Sequence, residues 1–162
     1  MSQKKSEHDE NVHEVCVIVK DEREVLTPFW FNMINVGGIS KIFDNGLDRQ
    51  IVDLKADMPF KTARIFLDHQ FVDKGSFFVE EKALDFLVSL NFELLLVLDY
   101  RDISKKPQFT LYFERFLKHF INRYGIKKMK NMTFELLYNT YFTKSKAQSY
   151  AKLFARLSKV LR

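Results

Sequence analysis

The chain alternates between two hydrophobic patterns, one with the length of a strand and one with the period of a helix. Short apolar runs at 30–36, 60–66, 92–98 and 132–138 predict four strands. Apolar residues spaced three or four apart predict helices at about 39–56, 79–90, 107–124 and 147–161. Gly125 stands where the third helix is expected to end, in the position of a C-terminal cap. Strand and helix are therefore expected to alternate four times.

The same patterns predict which side chains face the core. In the strand at 60–66, Ala63 and Ile65 should face one side and Thr62, Arg64 and Phe66 the other, because side chains alternate along a strand. The apolar faces of the helices are expected to carry Leu47, Ile51 and Leu54; Ala83, Leu84, Phe86, Leu87 and Leu90; Phe109, Phe113, Phe116, Leu117, Phe120, Ile121 and Tyr124; and Ala147, Tyr150, Phe154, Leu157 and Leu161.

Four consecutive βα units predict an α/β fold with a parallel sheet and right-handed crossovers. Two architectures fit this order, an open doubly wound sheet and half of a (βα)₈ barrel. A complete barrel takes about 250 residues, so a chain of 162 residues cannot close one alone. The β-branched run at 15–19 (VCVIV) predicts an extra strand in front. Residues 1–11 are expected to form a disordered lead-in or linker, and 12–162 a single domain.

Composition narrows the class of protein. Hydrophobic residues make up 46% of the chain, enough for a core that needs no disulfide or metal. The single cysteine, Cys16, excludes an internal disulfide, and no Cys/His cluster has the spacing of metal ligands. The N-terminus lacks the pattern of a signal peptide, and no apolar run is long enough to cross a membrane, so we expect a cytoplasmic protein. A net charge of +5 permits contact with nucleic acid without requiring it.

Candidate chemistry is expected at the carboxyl ends of the strands, where ligands bind in parallel α/β folds. The chain lacks the glycine-rich phosphate loops and the G-x-S-x-G elbow, so no cofactor is expected. The ligand-binding candidates are Arg64, Asp99, Tyr100, Glu135 and Asn139. Arg64 and Glu135 are expected to pair with each other, because an unpaired buried charge carries a large desolvation penalty.

Four stretches of the chain resemble the glycoside hydrolase family 39 domain, in particular its degenerate copies in AraC-type transcription regulators of Gram-positive bacteria. They are WFNMINVGG at 30–38, FKTAR at 60–64, HFINRYG at 119–125 and FELLYN at 134–139. The resemblance spans roughly residues 28–160 and implies a (βα)₈-type fold, of which this chain holds the first half.

The departures from that family imply loss of catalysis. The family's fourth strand ends in Asn-Glu, with the Glu as general acid/base, whereas this chain has Tyr138-Asn139. Glycoside hydrolysis uses two carboxyl groups, and an amide cannot replace one of them. Phe66 stands where the family has a histidine, and the nucleophile would come from a strand beyond this half. We therefore expect that the chain is not an enzyme.

Three functions remain as expectations. The first is a non-catalytic regulatory domain of an AraC-type regulator, which senses a carbohydrate ligand or self-associates and leaves DNA reading to another domain of a longer parent protein. Self-association is expected as a homodimer, with capping of one sheet edge by the strand at 15–19 as the alternative. The second is a degenerate glycosidase-like sugar-binding protein. The third is a nucleic-acid-binding domain that uses the basic final helix.

Overall fold

The computed structural model describes residues 32–67, 76–105, 108–138 and 143–162. Its strands are β1 (Met33–Gly38), β2 (Thr62–Phe66), β3 (Glu93–Asp99) and β4 (Thr133–Leu137). A 3₁₀ turn at Ile39–Lys41 follows β1. The helices are α1 (Leu47–Asp57), α2 (Phe78–Ser89), α3 (Tyr100–Ile103), α4 (Phe109–Tyr124), α5 (Ile126–Met129) and α6 (Lys144–Val160). The predicted alternation of strands and helices is confirmed.

The four strands form one sheet in the order β1-β2-β3-β4, and every neighbouring pair is parallel. Each strand therefore lies beside the strand that comes next along the chain. The register is regular from β2 to β4, whereas β1 has an irregularity between Asn35 and Gly37. Gly37 adopts φ +91° there, a conformation that residues with a side chain rarely adopt.

The hydrophobic core lies on one face of this sheet. The strand residues in the core alternate along each strand, and α2 and α4 pack against them. Among the described residues, no side chain from the opposite face of the sheet belongs to that core. A doubly wound sheet carries helices on both faces, so the one-sided arrangement identifies four βα units of a half-barrel. The core residues from the strands are Val36, Ala63, Ile65, Leu94, Leu96 and Leu98.

Helix α4 supplies much of the core because its phenylalanines recur at helical spacing. Phe113 and Phe116 are stacked at a centroid distance of 6.4 Å, and Phe116 contacts Phe120 at 4.6 Å. Phe113 also meets Phe134 of β4 edge-on at 5.3 Å, which ties the helix to the sheet. The helix ends at Gly125, whose φ of +82° is open to glycine and strained for other residues. The predicted C-terminal cap is confirmed.

One carboxylate lies within the helix layer. Glu80 of α2 is fully buried, and the Tyr112 hydroxyl donates a hydrogen bond of 3.0 Å to its Oε1. Burial raises the pKa of the Tyr112 hydroxyl, with the charge of Glu80 adding to the effect, so Tyr112 stays protonated and acts as a donor. Periodicity alone does not reveal this contact, because Glu80 reads as a surface residue of the first helical turn.

Two of the predicted helices differ from expectation. The helix expected at 39–56 begins only at Leu47, because Gly46 at φ +76° separates it from the 3₁₀ turn. Leu54 was expected on its buried face but is exposed. In α6, Leu157 is buried as predicted and Tyr150 half-buried, whereas Ala147, Phe154 and Leu161 are exposed. The period of the pattern was right, but Phe154 and Leu161 border an open groove between α6, α4 and the sheet and stay exposed there.

Some predictions fall outside the described residues. These are the lead-in at 1–11, the extra strand at 15–19 and the candidate Asn139. None of the helices in the described part of the chain is long and apolar enough to span a membrane.

Candidate functional site

The face of the sheet that points away from the helices carries three of the candidate residues, Arg64, Asp99 and Glu135. Its members follow from the parallel register, in which Asn35 pairs with Arg64, Arg64 with Leu95, and Leu95 with Thr133. In a complete barrel this face would point into the lumen, so we call it the inner face. It consists of Met33, Asn35, Thr62, Arg64, Phe66, Glu93, Leu95, Val97, Asp99, Thr133, Glu135 and Leu137.

Arg64 and Glu135 form a two-pronged ion pair across the middle of the inner face. Arg64 Nε donates to Glu135 Oε2 at 2.8 Å, and Nη2 donates to Oε1 at 2.9 Å. The side chains are 17% and 32% exposed, so the pair is partly shielded from water. The hydrogen bonds to Glu135 raise the pKa of the Arg64 guanidinium. The pairing predicted from the sequence is confirmed.

The pair joins β2 to β4 across the intervening strand β3. Glu135 lies two residues beyond Thr133, the residue that shares a row with Arg64. Neighbouring strands of an eight-stranded barrel step by about one residue along the axis, so side chains two strands and two residues apart lie level. The ion pair therefore lies in one layer of side chains that fill the lumen of a barrel. Alternate strands of the barrel supply the side chains of such a layer.

Two residues of the inner face, Phe66 and Val97, flank this ion pair. The Arg64 guanidinium carbon lies 4.8 Å from the centroid of the Phe66 ring, a cation–π contact. Val97 of β3 pairs in register with both Phe66 and Glu135, and it is fully buried although it does not belong to the main core. The pair and its neighbours thus form a small packed cluster on the inner face.

Asp99 ends β3 and starts helix α3. Its Oδ1 accepts a hydrogen bond of 2.8 Å from the backbone N–H of Arg101, and the Arg101 side chain bonds both carboxylate oxygens. The hydrogen bonds from the Arg101 guanidinium hold the pKa of Asp99 below its usual value. Asp99 is therefore an ionised N-terminal cap of α3 that is paired with Arg101.

Tyr100 follows Asp99 and belongs to a cluster of three tyrosines. Its ring lies 5.1 Å from that of Tyr138, after β4, and 5.6 Å from that of Tyr150 on α6. The Tyr150 hydroxyl donates 2.8 Å to the carbonyl oxygen of Leu136, which fixes α6 to the carboxyl end of β4. Sequence reasoning singled out Tyr100 alone and placed Tyr150 in a helix face, because their meeting depends on the topology.

A cavity of about 230 Å³ opens beside Tyr100, between α3, the start of α4 and the middle of α6. Hydroxyl groups and two basic side chains line it, and none of its described lining residues is acidic. Lys152 and Arg156 lie one turn apart on α6, so their like charges face the same space. Sequence reasoning missed this cavity. Its lining residues are Tyr100, Ile103, Ser104, Phe109, Thr110, Ser149, Lys152, Leu153 and Arg156.

The structure brings some of the sequence-predicted candidates together and separates others. Arg64 and Glu135 contact each other, whereas Asp99 pairs with Arg101 and Tyr100 packs among tyrosines. No group of three or more His, Cys, Asp or Glu side chains in the described ranges is placed to hold a metal ion. Two of the three carboxylates of the inner face, Asp99 and Glu135, are therefore already paired with an arginine, and the third, Glu93, is exposed.

Comparisons with known proteins identify no relative. No family model matches the chain, and no curated protein and no solved structure matches it either. The resemblance to glycoside hydrolase family 39 therefore rests on the four stretches of sequence alone.

Proposed function

We propose that this chain is a non-catalytic regulatory module, of the kind attached to AraC-type transcription regulators in the cytoplasm. In this proposal it senses a carbohydrate or self-associates, and another domain of the parent protein binds DNA. The resemblance of the four stretches to family 39 motivates the assignment to that class of regulator. The assignment to this class of regulator rests on an analogy of sequence and fold, whereas the absence of catalysis is supported by the geometry of the site.

The engagement of Glu135 and Asp99, two of the three inner-face carboxylates, supports the absence of catalysis. A glycosidase needs one carboxyl group that donates a proton and a second that acts as nucleophile or base. Glu135 accepts two charge-assisted hydrogen bonds from Arg64, and Arg101 keeps Asp99 ionised. Each of these two carboxylates is already paired with a guanidinium group. Residue 139, at the position of the family's acid/base, is Asn.

For a sensing role, the cavity beside Tyr100 is a better ligand site than the Arg64–Glu135 pair. Arg64 Nε and Nη2 already donate hydrogen bonds to Glu135, whereas the cavity offers hydroxyl groups, an aromatic ring and two cations. These groups favour a sugar that carries a carboxylate or phosphate. We expect Arg156→Ala to weaken its binding more than Arg64→Met does.

Two assays on the purified chain test the proposal. Aryl glycosides should not be hydrolysed, and turnover that disappears in Glu135→Gln would refute the non-catalytic assignment. Melting temperature should rise with a ligand that binds the folded state. A panel of neutral and anionic sugars should contain such a ligand if the module senses carbohydrate. If no sugar raises the melting temperature, sensing fails and self-association remains.

Nucleic-acid binding is the second candidate, favoured by the charge of α6. This helix carries five basic residues and no acidic one. Counterion release makes such binding fall steeply with salt. Retention of a random-sequence duplex by the isolated chain, lost between about 50 and 200 mM salt, would support this candidate over the regulatory module without DNA contact.

A further inference from the structure

Exposed apolar side chains concentrate at the two ends of the sheet. The described residues expose nine large hydrophobic side chains, and six of them lie on the first or the last βα unit. Those of the first unit are Met33, Val52, Leu54 and Met58, and those of the last are Phe154 and Leu161. Single exposed apolar residues are common on protein surfaces, but clustering at two matching ends marks an interaction surface.

The end helices are also packed less well than the middle ones. Helix α1 buries only Ile51, and α6 buries only Leu157. By contrast, α2 buries four residues and α4 buries five. In a barrel each helix packs against helices on both sides, so among the described residues α1 and α6 each lack one neighbour. A partner that supplies those neighbours would cover the exposed side chains.

We propose that a second copy of this chain completes an eight-stranded barrel. In this dimer β4 of each copy pairs in parallel with β1 of the other, about a twofold axis that coincides with the barrel axis. Two copies of a four-stranded sheet supply eight strands, the number whose lumen side chains can fill. The proposal extends the self-association part of the proposed function and names its geometry.

The charges of the two contacting helices are complementary. Closure places α6 of each copy beside α1 of its partner. Of the five basic residues of α6, Lys152 and Arg156 line the cavity beside Tyr100, whereas Lys144, Lys146 and Lys159 are exposed outside it. Helix α1 carries three aspartates, Asp48, Asp53 and Asp57, against two basic residues. Opposite charges across the contact favour this pairing and disfavour α6 against α6.

The lumen layer of the closed dimer is also charge-balanced. Arg64 on β2 and Glu135 on β4 lie level in one copy, and the strands of the partner continue the same layer. Around the ring the order becomes Arg, Glu, Arg, Glu, so each charge stands between two of opposite sign. This matters because charges enclosed in a barrel need partners. A neutral alternating layer meets that requirement, whereas two copies related by another symmetry need not.

The first experiment measures mass against concentration. Light scattering behind a sizing column should give twice the chain mass of 19.3 kDa at high micromolar concentration. Phe154→Glu places a negative charge at the centre of the contact and should shift the protein to monomer. Leu111→Glu on α4 is the matched control, because Leu111 is equally exposed but lies away from both ends; it should stay dimeric. A monomeric wild type, as expected if residues 1–31 cap an edge instead, would overturn the proposal.

Disulfide cross-linking tests whether α1 of one copy lies beside α6 of the other. In a Cys16→Ser background, Val52→Cys on α1 and Phe154→Cys on α6 place one thiol at each end of the sheet. The two single variants, mixed and oxidised, should give a cross-linked pair, whereas each alone should not. The double variant should stop at the dimer, because the ring closes. A ladder of larger species would mean an open chain of copies and would contradict closure.

These readouts are independent of the test for catalysis. Hydrolysis of an aryl glycoside by the dimer would remove the non-catalytic assignment and leave the interface intact. A monomer that does not hydrolyse the glycoside would contradict the proposed dimer and leave the non-catalytic assignment intact.

Discussion

The Arg64–Glu135 pair allows a quantitative test of what holds the inner face together. Substitution of Arg64 by Met keeps an unbranched apolar stem at this position but removes the charge and both donors to Glu135. Glu135 then remains on a sheet face where it is 32% exposed, with two acceptors that only water can satisfy. We expect Arg64→Met to lower the free energy of unfolding by about 2 kcal/mol, between the values for exposed and fully buried pairs.

The magnitude follows from the geometry. At an effective dielectric of about 20, two unit charges about 4 Å apart attract by about 4 kcal/mol. Desolvation of both groups offsets much of this, since the side chains are 17% and 32% exposed. We expect a coupling energy of about 1–2 kcal/mol, as found for residues in direct contact. The free energy of unfolding of a domain of this size is about 5–15 kcal/mol, so a change of this magnitude is measurable.

The assay is a double-mutant cycle by urea unfolding. Arg64→Met, Glu135→Leu and the double variant are compared with wild type, and the double variant should cost clearly less than the sum of the singles. Arg115→Met, on the solvent face of α4, is the matched control and should leave the midpoint unchanged. Strict additivity of the two single effects would refute the pair as a coupled structural unit. It would return Arg64 and Glu135 to the role of independent ligand-binding groups.

Three further predictions concern the rest of the domain. Phe116→Ala removes a fully buried ring that contacts Phe120, and should cost about 3–5 kcal/mol of unfolding free energy in denaturant titrations. Tyr112→Phe removes the donor to buried Glu80 and should cost about 1–3 kcal/mol, whereas a neutral result would show that Glu80 does not depend on this bond. The folded-state pKa of Asp99 is lowered, so its stabilisation is present above the unfolded pKa of about 3.9 and is lost as the pH falls through the folded value. Arg101→Gln should therefore melt at a lower temperature than wild type at neutral pH and converge with it near pH 2; a difference that persists in acid would contradict the assignment.

Much of the fold is predictable from the sequence, because the apolar spacing reports local structure directly. The phenylalanines of α4 and the alternation of Ala63 and Ile65 in β2 specify their faces without reference to the rest of the chain. The pairing of Arg64 with Glu135 is also predictable, since both are charged and lie on parallel strands of one sheet. These features depend on period and on charge compensation, which a single sequence carries.

Other features require the three-dimensional topology. Phe154 and Leu161 match a helical period as well as Leu157 does, yet they are exposed, because burial depends on how closely the neighbouring elements pack against the helix. The meeting of Tyr100, Tyr138 and Tyr150 joins residues from three elements. The cavity beside Tyr100 likewise arises where three helices meet.

The sequential strand order also has a consequence for local stability. In the part of the chain that the structure describes, each βα unit rests on its neighbours, so an end unit has support from one side only and the middle units have it from both. Opening should therefore begin at the ends of the sheet, and amide hydrogens of α1 and α6 should exchange sooner than those of β2, β3 and α4. In the free chain the sites of fastest exchange would coincide with the surfaces that a partner covers. Association would therefore slow amide exchange most at those sites.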